Sequence, residues 1–283
     1  MLGRLFIRLI DAQEPWARPL GDRVHGLVDA IFGRMVPVRS LLNGTWLGHP
    51  LHAVLTDAPI GALFLVIVFD LLGQPMAADI ALVFGVLAML ASAVVGFADY
   101  SVTDGRARTR ATVHSTLMIL SLVVYLVSIA IRASGPSSRT LPIALSIVGY
   151  LILAGGAFVG GDVAYLLGNM VDRHAWRSQG TKWQPLTVGE LPEATLVKGM
   201  LGIEPLVLVR TGDTINALHD TCAHANGPLS EGVLANGCVE CPFHGSRFDM
   251  KTGRNRRGPS VYDQPAYEVR AVATGGYEAR RIP

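Results

Sequence analysis

Four long apolar runs constrain the fold of this chain more than any other feature of its sequence. They cover residues 51–72, 80–97, 111–131 and 141–163. Each approaches or exceeds the ~20 residues that an α-helix needs to cross a bilayer. Only 16% of the 283 residues are charged, against roughly a quarter in a soluble domain. We therefore predict an all-α bundle of four transmembrane helices in residues 49–172.

Arginine placement predicts the orientation of these helices. Lys and Arg are enriched in cytoplasmic loops, and arginines here precede the first run, fill the second break and follow the fourth run. The first break has none, and the third has Arg132 and Arg139. Both termini and the second break are therefore expected in the cytoplasm, with the bundle in the inner membrane. The arginines on the expected cytoplasmic side are Arg4, Arg8, Arg18, Arg23, Arg34, Arg39, Arg106, Arg108, Arg110, Arg173 and Arg177.

The first 48 residues are expected to form a cytoplasmic segment. Arg4, Arg8 and Asp11 interrupt any apolar core, so the segment does not read as a signal peptide. The apolar residues between positions 24 and 35 share one helical face, which is typical of a helix on a membrane surface. A helix packed on the protein itself is the alternative. Residues 1–48 are thus predicted to be an amphipathic N-terminal segment.

Six polar residues lie near the ends of the runs that are expected to be cytoplasmic: His49, His52, Asp57, Asp99, His114 and Asp162. Polar groups in lipid are costly and usually line an interior site. We hypothesise that His52 and His114, with His49, bind a b-type haem or another metal, because imidazoles from two helices can hold such a cofactor. A hydrogen-bonded polar network or a quinone pocket built from the same residues is the alternative.

The stretch Gly48-His49-Pro50-Leu51-His52, followed by Pro59-Ile60-Gly61, resembles the opening of an uncharacterised family of four-helix bacterial membrane domains. His114 and Gly160-Gly161-Asp162 fit later parts of that pattern. The resemblance covers roughly residues 45–172 and implies an integral membrane domain without supplying a function. Gly156-x-x-x-Gly160 permits close helix packing, within the bundle or between two copies of the chain.

From about residue 183 the sequence changes character. Short alternating apolar runs are separated by turn signals such as Thr211-Gly212-Asp213 and Lys251-Thr252-Gly253. This pattern predicts an antiparallel all-β domain. We place that domain at residues 183–283 and a linker at residues 173–182, so the chain is expected to be multidomain.

Two boxes in the β domain combine a cysteine with a histidine: Cys222-Ala-His224 and Cys241-Pro-Phe-His244. Two sulfurs and two imidazole nitrogens are the ligand set of a 2Fe–2S centre in which two His replace two Cys on one iron. We assign Cys222 and Cys241 to one iron, and His224 and His244 to the other. Zinc also accepts two Cys and two His, but its close pairs are usually Cys with Cys and His with His.

These boxes resemble a Rieske iron–sulfur domain. Gly227-Pro228-Leu229 follows the first box and Gly245-Ser246-Arg247-Phe248-Asp249 follows the second, while Gly258-Pro259 stands where that family has a third loop over the cluster. Respiratory members have an extra cysteine in each box, and a tyrosine where this chain has Phe248. The missing tyrosine hydroxyl implies one hydrogen bond fewer to the cluster and a reduction potential below the respiratory type, nearer that of ferredoxin and oxygenase domains.

The sequence as a whole predicts a membrane-anchored one-electron carrier that serves cytoplasmic redox proteins, a membrane cofactor, or both. A membrane quinone or haem oxidoreductase with its second site in the bundle is the alternative, so whether the chain is an enzyme stays open. Rieske oxygenases resemble it only in the cluster domain; here 39 residues without a histidine follow His244, so we do not expect an oxygenase catalytic subunit. The expected partners are membrane lipid, redox proteins and a second copy; a net charge of +2 gives no reason to expect nucleic acid.

Overall fold

The computed structural model describes residues 2–175, 181–273 and 275–282, with only the backbone of residues 2–4. It divides into two compact units. The helical unit comprises Met1–Val36 and Leu51–Asn169, and the β unit comprises Pro37–Pro50 and Met170–Pro283. The segment Pro37–Pro50 thus belongs with the β domain, although the sequence places it mostly in the N-terminal segment 1–48. Part of the predicted linker, including Arg177, lies outside the described residues.

The described residues contain seven α-helices: α1 (Leu2–Asp11), α2 (Glu14–Phe32), α3 (Val36–Asn43), α4 (Leu51–Leu71), α5 (Pro75–Tyr100), α6 (Gly105–Ala133) and α7 (Thr140–Gly161). A π-helical turn, Asp162–Leu166, extends α7. The last four helices are long and apolar enough to cross a membrane, with mean hydropathies of 2.0 to 2.5. The four predicted apolar runs are therefore helices whose length and composition suit a membrane span.

The breaks between these helices follow from local chemistry. Gly73 and Gly135 take positive φ angles of 68° and 67°, a conformation that glycine adopts without steric cost. Pro75 occupies the first turn of α5, where its missing N–H leaves no helical hydrogen bond unmade. Large apolar side chains such as Ile80 and Leu151 are each 66% exposed, as a face covered by lipid would require.

The helices α4 and α5 pack closely as one hairpin, and α6 and α7 as another. The two hairpins resemble each other: three buried positions of α4 recur 62 residues later in α6, and six buried positions of α5 recur 64 residues later in α7. The matching buried pairs are Pro59/Ser121, Leu63/Tyr125, Val66/Ser128, Ala78/Pro142, Leu82/Ser146, Gly85/Gly149, Met89/Leu153, Ser92/Gly156 and Val95/Val159. Helices α4–α5 and α6–α7 therefore form two hairpins that share one spacing of buried positions.

The repeat extends to close helix contacts. A Cβ on Gly85 would lie 2.7 Å from the side chain of Leu63, and one on Gly149 would lie 3.0 Å from that of Tyr125. In each hairpin, therefore, a glycine lets a large, fully buried side chain approach the neighbouring helix. Gly156 is used in the same way, since a Cβ there would lie 2.5 Å from Met118 of α6. The predicted small-residue motif thus serves packing inside the bundle.

A network of four charges joins the ends of the four long helices. The Arg132 guanidinium donates to Asp79 at 2.7 Å and to Asp70, and Arg139 pairs with the same two carboxylates. The side chains of Arg132 and Asp70 are only 4% and 1% exposed. Because two arginines face two aspartates, the network is neutral as a whole. We call these four residues the charge network.

Ten strands lie in the part of the β unit that the structure describes: β1 (Gln184–Val188), β2 (Val197–Leu201), β3 (Glu204–Thr211), β4 (Thr214–His219), β5 (Val233–Ala235), β6 (Cys238–Glu240), β7 (Arg247–Asp249), β8 (Asn255–Arg257), β9 (Ala266–Ala271) and β10 (Tyr277–Arg281). Six of them close into a barrel in the order β1-β10-β9-β4-β3-β2, and β5-β6-β7-β8 form a second antiparallel sheet. The predicted fold class, a four-helix membrane bundle followed by an all-β domain, is confirmed.

Strand β3 shows how the barrel supports the second sheet. Its side chains alternate between two cores, as the two-residue period of a strand requires. Leu206 and Leu208 point into the barrel core, whereas Val207 and Val209 join a second core that also contains Cys222 and Cys241. The two cysteines are therefore fixed against a packed apolar layer.

Candidate iron–sulfur site

Cys222 and Cys241 each begin a loop, and the two loops have the same pattern of internal backbone hydrogen bonds. The amide of each cysteine donates to the carbonyl five residues further on, Gly227 at 2.9 Å and Ser246 at 2.8 Å. The first box spaces its histidine one residue closer to the cysteine than the second, yet both loops close in the same way. The structure therefore presents the two boxes as a matched pair.

The fourth residue after each cysteine completes the match. The carbonyls of Cys222 and Cys241 accept from the amides of Asn226 and Gly245, both at 3.1 Å. These two residues have φ angles of 63° and 77°. Asn and Gly are the residues that tolerate this left-handed conformation. The sequence at these positions thus suits a loop that turns back over its own cysteine.

The two sulfurs lie next to each other and are surrounded by backbone donors. A hydrogen bond joins the two thiols, and two amides donate to each sulfur. The hydrogen bond from Cys222 lowers the pKa of Cys241 to about 7, and the same pairing, with burial, raises the pKa of Cys222. Four amides aimed at two sulfurs favour thiolate ligands and negatively charged sulfides. The donating amides are those of His224, Ala225, Phe243 and His244.

The two histidine rings meet nearly at right angles, with centroids 5.0 Å apart. His224 is only 3% exposed, and its Nε2 is buried without a hydrogen-bond partner among the described residues. Burial, and then the charges of His244, Arg173 and Arg39, lower the pKa of His224 to about 3. A neutral imidazole is the form that binds a metal. His224 is therefore held in its ligating state.

A third loop, around Gly258-Pro259, lies against the second box. The Ser260 amide donates to Ser246 Oγ at 3.0 Å, and the Gly258 amide donates to Ser40 Oγ at 3.0 Å. Ser40 lies in α3, so the segment Pro37–Pro50 supports this loop. Ser246 is 1% exposed, and its carbonyl accepts from the Cys241 amide, so this buried residue links the second box to the third loop.

Sequence reasoning missed several residues that shape the site. A Cβ on Gly227 would lie 2.7 Å from Cys241 Sγ, so a glycine is required where the two loops meet. Gln264 is 2% exposed; its Oε1 accepts from the Ala223 amide at 3.0 Å and its Nε2 donates to the Thr221 carbonyl. Arg39 and Arg173 come from distant parts of the chain. Gly227 was recognisable only as part of the motif, and the other three residues carry no local sequence signal.

The donor set can be tested against the two metals that the sequence leaves open. In the described residues, no three His, Cys, Asp or Glu side chains converge as a site for one ion. A tetrahedral zinc would bring all four donors to one point, whereas a 2Fe–2S centre takes two donors on each iron. The adjacent thiols and the adjacent imidazoles therefore fit a two-iron cluster.

The histidines predicted to form a second site, of which His49 belongs to the β unit, are brought together only in part. His52 and His114 are both half-buried, with ring centroids 6.3 Å apart. His49 and Asp57 are exposed, and His49 Nδ1 lies 3.4 Å from the carbonyl of its own neighbour, Pro50. The structure therefore pairs two of the predicted residues and leaves these two at the surface.

The remaining members of the predicted polar set serve the ends of the helices. Asp162 accepts from the buried Arg110 at 2.6 Å, and Arg110 also pairs with Asp11 of α1 at 2.8 Å. Asp99 is 8% exposed at the end of α5. Cys238 is half-buried on β6. Asp162 thus forms an ion pair that connects the end of α7 to α6.

Comparison with known proteins agrees with this geometry. Residues 182–268 match the family model described as Rieske [2Fe-2S] domain, and residues 48–173 match Predicted membrane protein (DUF2231). The anthranilate 1,2-dioxygenase ferredoxin subunit of Burkholderia cepacia is 36% identical over 92 residues, which are 32% of this chain and 85% of that protein. The ferredoxin component of biphenyl 2,3-dioxygenase from Rhodococcus jostii (strain RHA1) is 35% identical over 29% of this chain and 77% of its own length.

Among solved structures, the ferredoxin of carbazole 1,9a-dioxygenase from Nocardioides aromaticivorans IC177 is 30% identical, with a TM-score of 0.31, and the match covers 35% of this chain and 98% of that one. The family of the β unit rests on the ferredoxin relatives and the family model, which also support a 2Fe–2S cluster and an electron-carrier role. The chain therefore belongs to the Rieske [2Fe-2S] family through residues 182–268, and it joins that domain to a predicted membrane domain of the DUF2231 family.

Proposed function

We propose that this protein is a membrane-anchored one-electron carrier whose 2Fe–2S cluster is held by Cys222 and Cys241 on one iron and by His224 and His244 on the other. One observation carries the proposal: two matched loops present adjacent thiols and imidazoles whose rings lie 5.0 Å apart. When bound, such a cluster supplies a one-electron redox couple.

The residues around the site have separable roles in this proposal. The four loop amides stabilise negative charge on the sulfurs, so they favour the reduced state. The apolar core beneath the cysteines excludes water from that side. His224 is buried, whereas His244 is half-buried and adjoins the exposed ring of Phe243, 6.2 Å away. We therefore propose that electrons enter or leave at the His244 and Phe243 edge.

Membrane anchoring is supported by the four candidate spans and by the family match of residues 48–173. We propose that the bundle lies in the inner membrane with both termini and the Rieske domain in the cytoplasm, as the arginine distribution predicts. The relatives are named as ferredoxin components of dioxygenases. A redox protein that exchanges one electron is therefore the partner class that we propose for the β unit.

A second candidate function is a membrane quinone or haem oxidoreductase. The observation that favours it is the pairing of His52 with His114 inside the helical unit. In this case the electron carrier and the second redox site belong to one chain. Re-oxidation of the reduced cluster by a quinone or a haem in the purified protein distinguishes it from a simple carrier.

The ligand assignment is tested by metal and sulfide analysis of the full-length protein. Two irons and two acid-labile sulfides per chain are expected, and Cys222→Ser or Cys241→Ser should remove both. Cys238→Ser is the matched control, because Cys238 lies three residues before Cys241 but on β6, and it should keep the cluster. Stoichiometric zinc in place of iron, or an intact cluster in Cys222→Ser, would contradict the assignment.

A further inference from the structure

The two hairpins place one histidine each at matching positions. His52 in α4 and His114 in α6 are 62 residues apart, the same offset that relates the buried positions of these helices. Each histidine faces a glycine of its own hairpin, Gly96 in α5 or Gly160 in α7, and these two glycines share the other offset, 64. The two side chains therefore occupy equivalent places in the repeat.

Their surroundings are equivalent as well. His52 Nδ1 lies 3.0 Å from the Ser92 carbonyl, and His114 Nδ1 lies 2.8 Å from the Gly156 carbonyl. In both hairpins that carbonyl belongs to the residue four positions before the facing glycine. A Cβ on Gly96 would lie 2.8 Å from the His52 ring, and one on Gly160 would lie 2.9 Å from the His114 ring. Each glycine thus makes the room that the hydrogen bond needs.

The hydrogen bonds determine which ring nitrogen is available. A carbonyl oxygen can only accept, so Nδ1 of each ring carries the hydrogen and Nε2 carries the lone pair. No further hydrogen bond is recorded for either ring among the described residues. A histidine that donates one N–H to a backbone carbonyl and offers its other nitrogen is the usual form of a metal-ligating histidine. Both rings of the pair have this form.

The separation of the two rings also fits a metal between them. An imidazole with its nitrogen about 2.0 Å from a metal has its centre about 1.1 Å further out, so two rings on opposite sides of one metal lie about 6.2 Å apart. The observed centroid separation is 6.3 Å, with the ring planes at 82°. We propose that His52 and His114 would hold the iron of one haem, each through Nε2, inside the helical bundle.

A haem fits this site better than a bare ion does. The porphyrin supplies four nitrogens, so two imidazoles complete a six-coordinate iron. A bare zinc or similar ion needs about four protein ligands, and no third donor joins this pair among the described residues. His49 is exposed, so it is excluded from the ligand set predicted from the sequence. The haem proposal does not depend on a cluster in the β unit, so the haem proposal and the cluster proposal can fail separately.

The test is the haem content and visible spectrum of the full-length protein, purified in detergent from haem-replete cells. A Cys222→Ser background removes the absorbance expected from the cluster. One b-type haem per chain with a low-spin, six-coordinate spectrum is expected. His52→Gly and His114→Gly should each abolish that low-spin spectrum, and added imidazole should restore it, whereas the exposed His49→Ala should leave it unchanged.

A second pair of variants separates ligation from folding. In Gly160→Ala, the new Cβ would lie 2.9 Å from the His114 ring and displace it. This variant should therefore lower haem content at least tenfold. Gly155→Ala is the matched control, because a Cβ on Gly155 meets no atom within 4 Å, and it should bind haem normally. Folded protein without haem, haem that both histidine variants retain, or a bare metal that depends on the two histidines would overturn the proposal.

Discussion

The hydroxyl of Ser246 is the residue-scale feature that tunes the proposed cluster most directly. Its oxygen accepts from the Ser260 amide at 3.0 Å, which leaves its own hydrogen for a cluster sulfur. Hydrogen bonds to the sulfurs raise the reduction potential because they stabilise the reduced, more negative state. Ser246→Ala should therefore lower the midpoint potential by about 40 mV, which corresponds to one hydrogen bond of about 1 kcal/mol.

That shift is measured by redox titration of the full-length protein, followed by EPR. Thr195→Ala removes an exposed hydroxyl of the same unit that bonds only to the Glu193 carbonyl, and it should leave the potential unchanged. An unchanged potential in Ser246→Ala would show that this hydroxyl does not reach the cluster. A wild-type potential in the respiratory range would refute the expectation drawn from Phe248, whose side chain lies fully buried and offers no hydroxyl.

Gly227 makes the meeting of the two loops possible, so it provides a second residue-scale prediction. In Gly227→Ala, the new Cβ would lie 2.7 Å from Cys241 Sγ. Overpacking of this kind costs about 1–3 kcal/mol, and here it displaces a proposed ligand. We expect a clear loss of bound iron together with a lower unfolding temperature.

Iron content and thermal unfolding of Gly227→Ala should be compared with those of Gly189→Ala. Gly189 lies in the same unit, and a Cβ there meets no atom within 4 Å. Equal iron content in the two variants would show that the loops accommodate a Cβ at position 227, which would contradict this prediction.

At this scale the sequence predicted the four proposed ligands, because their spacing within each box is local. It could not predict Arg39, Arg173 or Gln264, which reach the site from positions far along the chain. Their contribution depends on the folded arrangement of the β unit. The matched hydrogen bonds of the two loops were equally hidden, since the boxes differ in length and share few residues.

At the scale of elements, the charge network joins the ends of the long helices. Removing one partner of a buried ion pair leaves the other charge unpaired, which costs about 3–5 kcal/mol. The Arg132 and Asp70 side chains are 4% and 1% exposed. Arg132→Ala should therefore destabilise the helical unit by an amount in that range.

The measurement is thermal unfolding of the full-length protein in detergent, followed by circular dichroism. Arg106→Ala is the control, because the Arg106 side chain is 71% exposed and pairs with a half-exposed Asp11; such pairs contribute about 0–1 kcal/mol. Similar unfolding temperatures for the two variants would contradict a structural role for the network.

The four spans were predictable because length and hydropathy are properties of the sequence itself. The likeness of the two hairpins could not be predicted, because matching positions are alike in burial but differ in chemistry. Leu63 corresponds to Tyr125 and Pro59 to Ser121. Asp70 corresponds to Arg132, which carries the opposite charge. Only the structure shows that these pairs occupy the same places in two hairpins.

At the scale of the whole molecule, the segment Pro37–Pro50 changes how the chain is divided. Its contacts assign it to the β unit, and Ser40 hydrogen-bonds the third loop of the cluster site. No local pattern predicts this contact, since it joins positions more than two hundred residues apart. The domain boundaries drawn from the sequence stay predictions, as does the orientation of the bundle.

The orientation leads to a whole-molecule prediction. A green fluorescent protein fused after the C-terminus of the full chain should fluoresce, because that protein folds in the cytoplasm, and an alkaline phosphatase fusion at the same point should be inactive. A phosphatase fused within the first break, near Gly73, should be active, since this break has no arginine and lies between two spans. The reverse pattern would place the Rieske domain outside the cytoplasm.

The central claim is that two cysteines and two histidines hold one 2Fe–2S cluster, and pulsed EPR of the reduced full-length protein tests it most directly. We predict one cluster signal coupled to two imidazole nitrogens, which shift together when the protein is labelled with ¹⁵N-histidine. His219→Gln changes a buried histidine that pairs with Glu204, and this control should keep both nitrogen couplings. A variant that lacks the His244 imidazole should lose one of them. A cluster signal without nitrogen coupling, or no cluster signal, would contradict the account.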